Sequence, residues 1–197
     1  MKNLEKYRIV LASNSPRRKE LLAGLGLSFE VRVMQGIDES YPSSLPVDEV
    51  ALYIAGKKAE AYRGAMSSDE LIITADTVVI VGDEILGKPA DEHDAKRMLR
   101  LLSGRTHQVT TGVCLCSLDQ ESRFSVTTDV SFKRLTDEEI DYYITHYHPF
   151  DKAGAYGIQE WIGYIGVTGL HGSYYNVMGL PVQRIYNELL KFLEIRW

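Results

Sequence analysis

Apolar positions along this chain recur in two rhythms, one suited to strands and one to helices. Arg8 to Ala12 is a short apolar run that reads as a strand. A polar stretch separates it from a helix predicted from Pro16 to about Ala23, stopped by Gly24 or Gly26. Within residues 47–63, Val47, Ala51, Ile54, Ala55, Ala61 and Tyr62 share one stripe, the spacing of an amphipathic helix. Leu71 to Val81 is a β-branched run suited to a buried strand. Asp91 is placed to cap a third helix ending near Ser103-Gly104, and Thr106–Leu118 and Ser122–Leu135 read as two strands of a hairpin. Thr136 and Glu139 have the spacing of a capping box, for a helix that ends before Pro149. Residues 151–180 are rich in glycine and aromatics, and Pro181 opens a last helix. Strands and helices mix without strict alternation, which predicts an α/β or α+β mixed sheet flanked by helices. No repeat or linker divides the chain, so one domain over residues 1–197 is expected. A cleft is expected between a part built mainly from the termini and a part from the middle.

Composition narrows the class. With 45% hydrophobic and 25% charged residues the chain is globular rather than disordered. Its net charge of −5 disfavours nucleic acid or an anionic membrane as partner. The two cysteines, Cys114 and Cys116, lie two apart on one face of a strand, too close for a metal-ligand pair, and read as reduced cytosolic thiols. Lys2, Glu5, Lys6 and Arg8 precede an apolar stretch shorter than a signal peptide requires, and Leu71–Val81 is too short to span a bilayer. A cytoplasmic location is expected.

Charge then appears in four places where packing alone would not put it. Ser15 suits an N-cap and Pro16 the first helical position, yet Arg17 and Arg18 follow at once. Cations are unfavourable at that end of a helix dipole, so the turn either binds a polyanion such as a phosphate chain or leaves both guanidiniums in solvent. Lys58 falls in the apolar stripe of its helix, four residues after Ile54, where it either snorkels or is aimed into a polar cleft. Asp76 interrupts the apolar run 71–81, marking either a break in the strand or a buried acid that holds a metal or a water. Finally, Gly82-Asp-Glu-Ile-Leu-Gly-Lys88-Pro89 is one residue from a P-loop, but Pro89 replaces the hydroxyl that would ligate Mg²⁺. Gly82-Asp83 reads instead as a hairpin turn, leaving Lys88 as a separate candidate cation. The five histidines form no metal motif, and no G-x-S-x-G or G-x-G-x-x-G element stands in a suitable context.

In this order the segments Leu11-Ala-Ser-Asn-Ser-Pro-Arg-Arg-Lys-Glu-Leu-Leu22, Ala75-Asp-Thr-Val-Val79, Gly87-Lys-Pro89, Leu102-Ser-Gly-Arg-Thr-His107, Asp151-Lys-Ala-Gly-Ala-Tyr-Gly-Ile-Gln159 and Gly172-Ser-Tyr through Asn176 to Pro181 resemble the Maf family of nucleoside triphosphate pyrophosphatases. The resemblance implies a mixed sheet flanked by helices with a deep nucleotide-binding cleft, related to inosine-triphosphate pyrophosphatases. It implies Asp76 as the catalytic carboxylate, a proton acceptor, with Lys88 catalytic beside it, and Ser13, Arg17, Arg18, Lys58 and Lys88 binding phosphates and offsetting charge. Glu39 matches a position that assists a divalent metal, Mg²⁺ or Mn²⁺, beside Asp76. Arg17, Thr77 and Gln159 match the specificity positions of the branch acting on dTTP and UTP rather than the one preferring 7-methyl-GTP. Glu160-Trp161 is a departure, since glycine commonly follows Gln159 in the family. Some members are linked to septum formation and cell-division arrest, and the family allows a homodimer and a role in keeping modified nucleotides out of nucleic acids. The implied reaction is attack of water on the α-phosphorus with loss of pyrophosphate. The competing expectations are a non-catalytic nucleotide-binding regulator, another phosphate enzyme, or the 7-methyl-GTP branch.

Overall fold

The computed structural model describes residues 7–194; Lys2, Glu5 and Lys6, on which the N-terminal reading rests, lie outside them. Along the chain run β1 (Arg8–Leu11), α1 (Pro16–Ala23), β2 (Phe29–Val31), α2 (Val50–Arg63), β3 (Glu70–Val81), β4 (Glu84–Leu86) and α3 (Glu92–Leu102). They are followed by β5 (Thr106–Cys116), β6 (Glu121–Phe132), α4 (Asp137–Tyr147), α5 (Trp161–Gly166), β7 (Val167–His171), α6 (Tyr174–Met178) and α7 (Val182–Glu194). Among the described residues the sheet has seven strands in the order β2-β1-β3-β5-β6-β7, with β4 paired to β3. It is mixed, parallel across β2, β1 and β3 but antiparallel for β3–β4 and β6–β7. The expected mixed sheet flanked by helices is therefore present. No helix among the described residues is long and apolar enough to cross a membrane. The chain divides into two compact units, one taking the described residues up to Asp76, Thr111–Val126 and those from Gly179 on, the other Thr77–Thr110 and Thr127–Met178.

In the first unit β1 is a middle strand, with Leu11 opposite both Val31 and Ile73. Its last three residues are buried, which is why that stretch is apolar without alternation. The helix predicted from residue 47 begins later, at Val50. Residues 47–49 form a turn in which the Glu49 N–H donates to the Pro46 carbonyl. Ala59, rather than Ala61, completes the buried stripe with Val50, Ala51, Ile54, Ala55 and Tyr62. α2 also meets β5 at a point with no room for a side chain. A Cβ on Gly112 would stand 2.3 Å from the Leu52 nitrogen and 2.4 Å from the Ala51 carbonyl carbon. Two residues on, Cys114 and Cys116 share a small cluster with Ala59, both buried and free, and burial pushes the Cys114 thiol up to about 12. A buried carboxylate, Glu70, opens β3 and is met by Arg8 at 2.6 Å and Arg32 at 2.7 Å. The hydrogen bond from Arg32 outweighs desolvation and pulls Glu70 down to about 2.

In the second unit the turn between β3 and β4 is the predicted hairpin, with Val81 opposite Glu84 and Gly82 at φ +60°. This disposes of a P-loop in that stretch. Asp91 caps α3, accepting from the Asp94 N–H at 2.8 Å, and Thr136 with Glu139 forms the full capping box on α4. Side-chain contacts of Thr106 with Ser131, Gln108 with Asp129 and Thr110 with Thr127 pair β5 and β6 antiparallel, as the hairpin reading requires. β2, β7, α5 and α6 went unpredicted, and β4 was implied only by the Gly82-Asp83 turn, without a range of its own. β2 and β4 have three residues each, too few to display a period.

Gly112→Ala is expected to destabilise the protein by about 3 kcal/mol, the upper end for overpacking, because the clash is with helix backbone rather than a movable side chain. Gly64→Ala, where a Cβ meets nothing within 4 Å, should stay within about 0.5 kcal/mol of wild type. Urea unfolding of the two variants checks both.

Candidate active site

Three sequence candidates meet in the first unit because strand and helix periods put them there. Residues 74 and 76 of β3 point to the same face. The Thr74 hydroxyl donates to the Ala55 carbonyl of α2 at 2.7 Å, and one turn further along α2 the Lys58 Nζ donates to Asp76 Oδ1 at 2.8 Å. β3 runs unbroken through Asp76, so a strand break is excluded. Lys58 does not snorkel either. Its ammonium lies between two carboxylates, with Glu39 Oε1 at 3.0 Å on the other side. Lys58 and Asp76 have side chains 14% and 15% exposed, while Glu39 is 56% exposed. The first pair is thus partly desolvated, which strengthens its Coulomb attraction, whereas Glu39 is largely in solvent.

Glu39 sits in the irregular segment between β2 and α2, and its neighbour fastens that segment. The Lys57 Nζ donates to Asp38 Oδ2 at 2.8 Å and to the Ser40 carbonyl at 3.0 Å. The Ser40 N–H and hydroxyl both donate to Asp38 as well. These hydrogen bonds, that of Lys57 above all, hold the Asp38 carboxyl well below the usual range.

The predicted cap of α1 is present. Ser15 Oγ accepts from the Arg18 N–H at 3.4 Å, Pro16 opens the helix, and no acid occupies the first turn. Ser13 Oγ accepts from the Ser15 N–H at 3.2 Å. Arg17 is half-buried in that turn. Arg18 is tied to backbone from two distant parts of the chain. Its Nε donates to the Gly179 carbonyl at 2.9 Å and its Nη1 to the Ala75 carbonyl at 2.8 Å. Desolvation lowers its pKa, opposed by the Asp76 charge, yet a guanidinium stays protonated.

Thr77, Lys88 and Gln159 belong to the second unit. Thr77 follows Asp76 and is half-buried, and Lys88 is exposed. The Lys88 loop is fastened by the Gly154 N–H donating to the Gly87 carbonyl at 3.0 Å. Gln159 Oε1 is buried with no hydrogen-bond partner among the described residues. Near it stands a buried cation that sequence reasoning did not single out. Lys152 pairs with Asp151 Oδ1 at 2.7 Å and Glu160 Oε1 at 3.1 Å. The available signal was a lysine followed by Ala153-Gly154-Ala155, residues too small to cover it. His107 is a packing residue, its Nε2 2.7 Å from the Tyr156 hydroxyl, and burial pushes it down to about 4.

Among the described residues no three His, Cys, Asp or Glu side chains gather as a metal cage. Asp76 and Glu39 supply two carboxylates instead, each with one oxygen on the Lys58 ammonium. That donor set suits a hard cation such as Mg²⁺, which keeps waters and shares substrate phosphates.

Comparison with known proteins matches residues 8–192 to the family described as Maf-like protein. A dTTP/UTP pyrophosphatase of Phocaeicola vulgatus is 62% identical over 191 residues, 97% of this chain and 99% of that protein. One of Parabacteroides distasonis is 59% identical over 192 residues, 98% and 100% of the two chains. The Ham1 protein of Staphylococcus aureus shares the fold, with a TM-score of 0.50 at 17% identity over 96% of this chain and 100% of that one.

Arg18→Lys is expected to destabilise the protein by about 1–3 kcal/mol, since one ammonium cannot reproduce two fork hydrogen bonds to separate carbonyls. Unchanged urea stability would show that those contacts hold nothing together.

Proposed function

The chain belongs to the Maf-like protein family, and from that premise we propose that it hydrolyses nucleoside triphosphates, dTTP and UTP foremost, to the monophosphate and pyrophosphate. The observation that carries the proposal is the Lys58 ammonium held between Asp76 and Glu39. It joins a carboxylate able to activate water to a second carboxylate and a cation suited to phosphates. The names of the relatives from Phocaeicola vulgatus and Parabacteroides distasonis support the same reaction. The proposal takes residues 1–197 as one Maf-like domain, because the matching region includes parts of both units.

In the proposed reaction Asp76 orients the attacking water and accepts its proton as the oxygen bonds to the α-phosphorus and pyrophosphate departs. Arg17, Arg18, Lys58 and Lys88 offset the charge of the triphosphate, and Ser13 and the free N–H groups at the start of α1 bind phosphate oxygens. A divalent cation, Mg²⁺ or Mn²⁺, would be held by Asp76 and Glu39 and would supply further charge neutralisation at the phosphates. Breaking of the Lys58–Asp76 pair is not required, because an ammonium donates three hydrogen bonds.

For base choice, Gln159 stands at the position that sets specificity in the family it resembles, and its amide carries an acceptor for the N3–H of uracil or thymine. Cytosine presents a lone pair at N3, so acceptor would face acceptor in a dry site. Thr77, beside Asp76, orients the nucleotide. We place the enzyme in the cytoplasm, acting on free nucleotides with neither nucleic acid nor membrane as partner, and a homodimer is compatible with this reading.

A panel of canonical and 7-methylated triphosphates with Mg²⁺ or Mn²⁺, scored for pyrophosphate release, tests the reading. UTP and dTTP should lead, with monophosphate as the second product. Tight nucleotide binding without turnover would replace the proposal with a regulator, and faster hydrolysis of 7-methyl-GTP would move the chain to the other branch. In the same assay Asp76→Asn should lower kcat by at least about a hundredfold while binding suffers less. Lys58→Ala should also impair turnover, with a fall in thermal stability from leaving Asp76 without its cation, and unchanged kinetics would remove Lys58 from the reaction.

A further inference from the structure

Lys58 is the internal counter-ion of both carboxylates that would hold a metal. Its ammonium donates to Asp76 Oδ1 at 2.8 Å and lies 3.0 Å from Glu39 Oε1, so a cation of the chain itself takes one oxygen of each acid. The backbone behind it is fixed. α2 is tied to β3 by the Thr74 hydroxyl on the Ala55 carbonyl, and it meets β5 at Gly112 with no room for a side chain. What remains free to turn is the four-carbon stem of the lysine. Glu39, largely in solvent, leaves the pair open to approach from outside.

Two further cations share this neighbourhood. Arg18, anchored on the Ala75 and Gly179 carbonyls, interacts with the charges of Asp76, Arg17 and Glu39. Three cations, Arg17, Arg18 and Lys58, therefore stand against two acids. A divalent ion arriving alone meets a net positive group, and carboxylates already engaged by an ammonium. A triphosphate reverses that balance. It brings several negative charges, together with the phosphate oxygens that Mg²⁺ characteristically shares with one or two carboxylates.

We propose that Lys58 holds the place of the divalent cation in the nucleotide-free protein, so that the metal joins Asp76 and Glu39 only together with the triphosphate. The inference rests on the reading of those two acids as the metal-holding pair. When phosphates are present the ammonium turns to them, keeping Asp76, and the oxygen it gives up at Glu39 becomes available to the metal. Until then the partly buried Asp76 is never without a cation, which is the condition its place in a strand imposes.

Mn²⁺ binding to the nucleotide-free protein tests this without any turnover, since the EPR signal of the free ion reports how much is bound. Wild type, Lys58→Met, Glu39→Gln and the Lys58→Met/Glu39→Gln double variant are titrated, each with melting curves with and without Mn²⁺. Methionine keeps an unbranched stem and removes only the ammonium. Lys58→Met should bind Mn²⁺ at least about tenfold more tightly than wild type, with a matching rise in Tm on adding the ion. The double variant should lose that gain. Wild type should bind Mn²⁺ weakly alone, and at least about tenfold more tightly with α,β-imido-UTP, after allowance for the ion the analogue itself carries. Equal affinities in wild type and Lys58→Met, with analogue-dependent binding that Glu39→Gln weakens, overturn the placeholder role and leave the metal pair intact. No binding in any form, analogue included, overturns the metal pair and the placeholder role with it. Should Lys58→Met fail to fold, Lys58→Gln takes its place, and wild-type binding as tight without the analogue as with it overturns the proposal by itself.

Discussion

An ionised carboxylate in the middle of a buried strand is costly unless a cation or hydrogen-bond donors meet it, and β3 carries Asp76 at such a position. The Lys58 ammonium at 2.8 Å meets that need, and the rest of the first unit is arranged so that it can. α2 lies close enough to the sheet for Thr74 to bond its backbone at Ala55, and Gly112 leaves the gap that lets the helix come that near. Filling the gap with a side chain would move the helix, and Lys58 with it. Packing at one glycine and electrostatics at one lysine are thus parts of one constraint.

The same economy appears at the cap of α1. Arg17 and Arg18 stand where a helix dipole disfavours cations. Arg18 is held there by two carbonyls from distant parts of the chain, Ala75 and Gly179. It therefore fastens the residue preceding Asp76 and sets a cation near enough to Asp76 for their charges to interact. Lys57 and Lys58 divide the labour in a similar way. One secures the segment bearing Glu39 through Asp38, and the other binds Glu39 itself. Adjacent lysines on one helix turn pair with adjacent acids on one loop, so the loop's register on α2 is specified twice.

In the second unit the Tyr143 hydroxyl, Glu160 and Lys152 are linked to one another beside Gly157, while Gln159 Oε1 is buried without a hydrogen-bond partner among the described residues. Removing any one of those bonds would leave a buried polar group without its partner, so these residues hold the turn 157–160 in place.

Most of the regular structure was legible in the sequence. The buried run 71–81, the caps at Ser15, Asp91 and Thr136, and the Gly82-Asp83 turn are local signals, settled by short-range hydrogen bonding and periodicity. Elements of three residues, and the late start of α2, were not legible, because pairing partners far along the chain decide them. For the site, the sequence determined which residues are out of place: two arginines at a helix start, a lysine in an apolar stripe, an acid in a strand. Tertiary structure alone decided how those anomalies resolve. It joined Lys58 to both Asp76 and Glu39, gave Arg18 two carbonyls, and gathered Tyr143, Lys152 and Glu160 around one glycine. A sequence exposes a charge whose burial would be unfavourable, whereas the partner that offsets it depends on which distant segments the fold brings within a hydrogen bond.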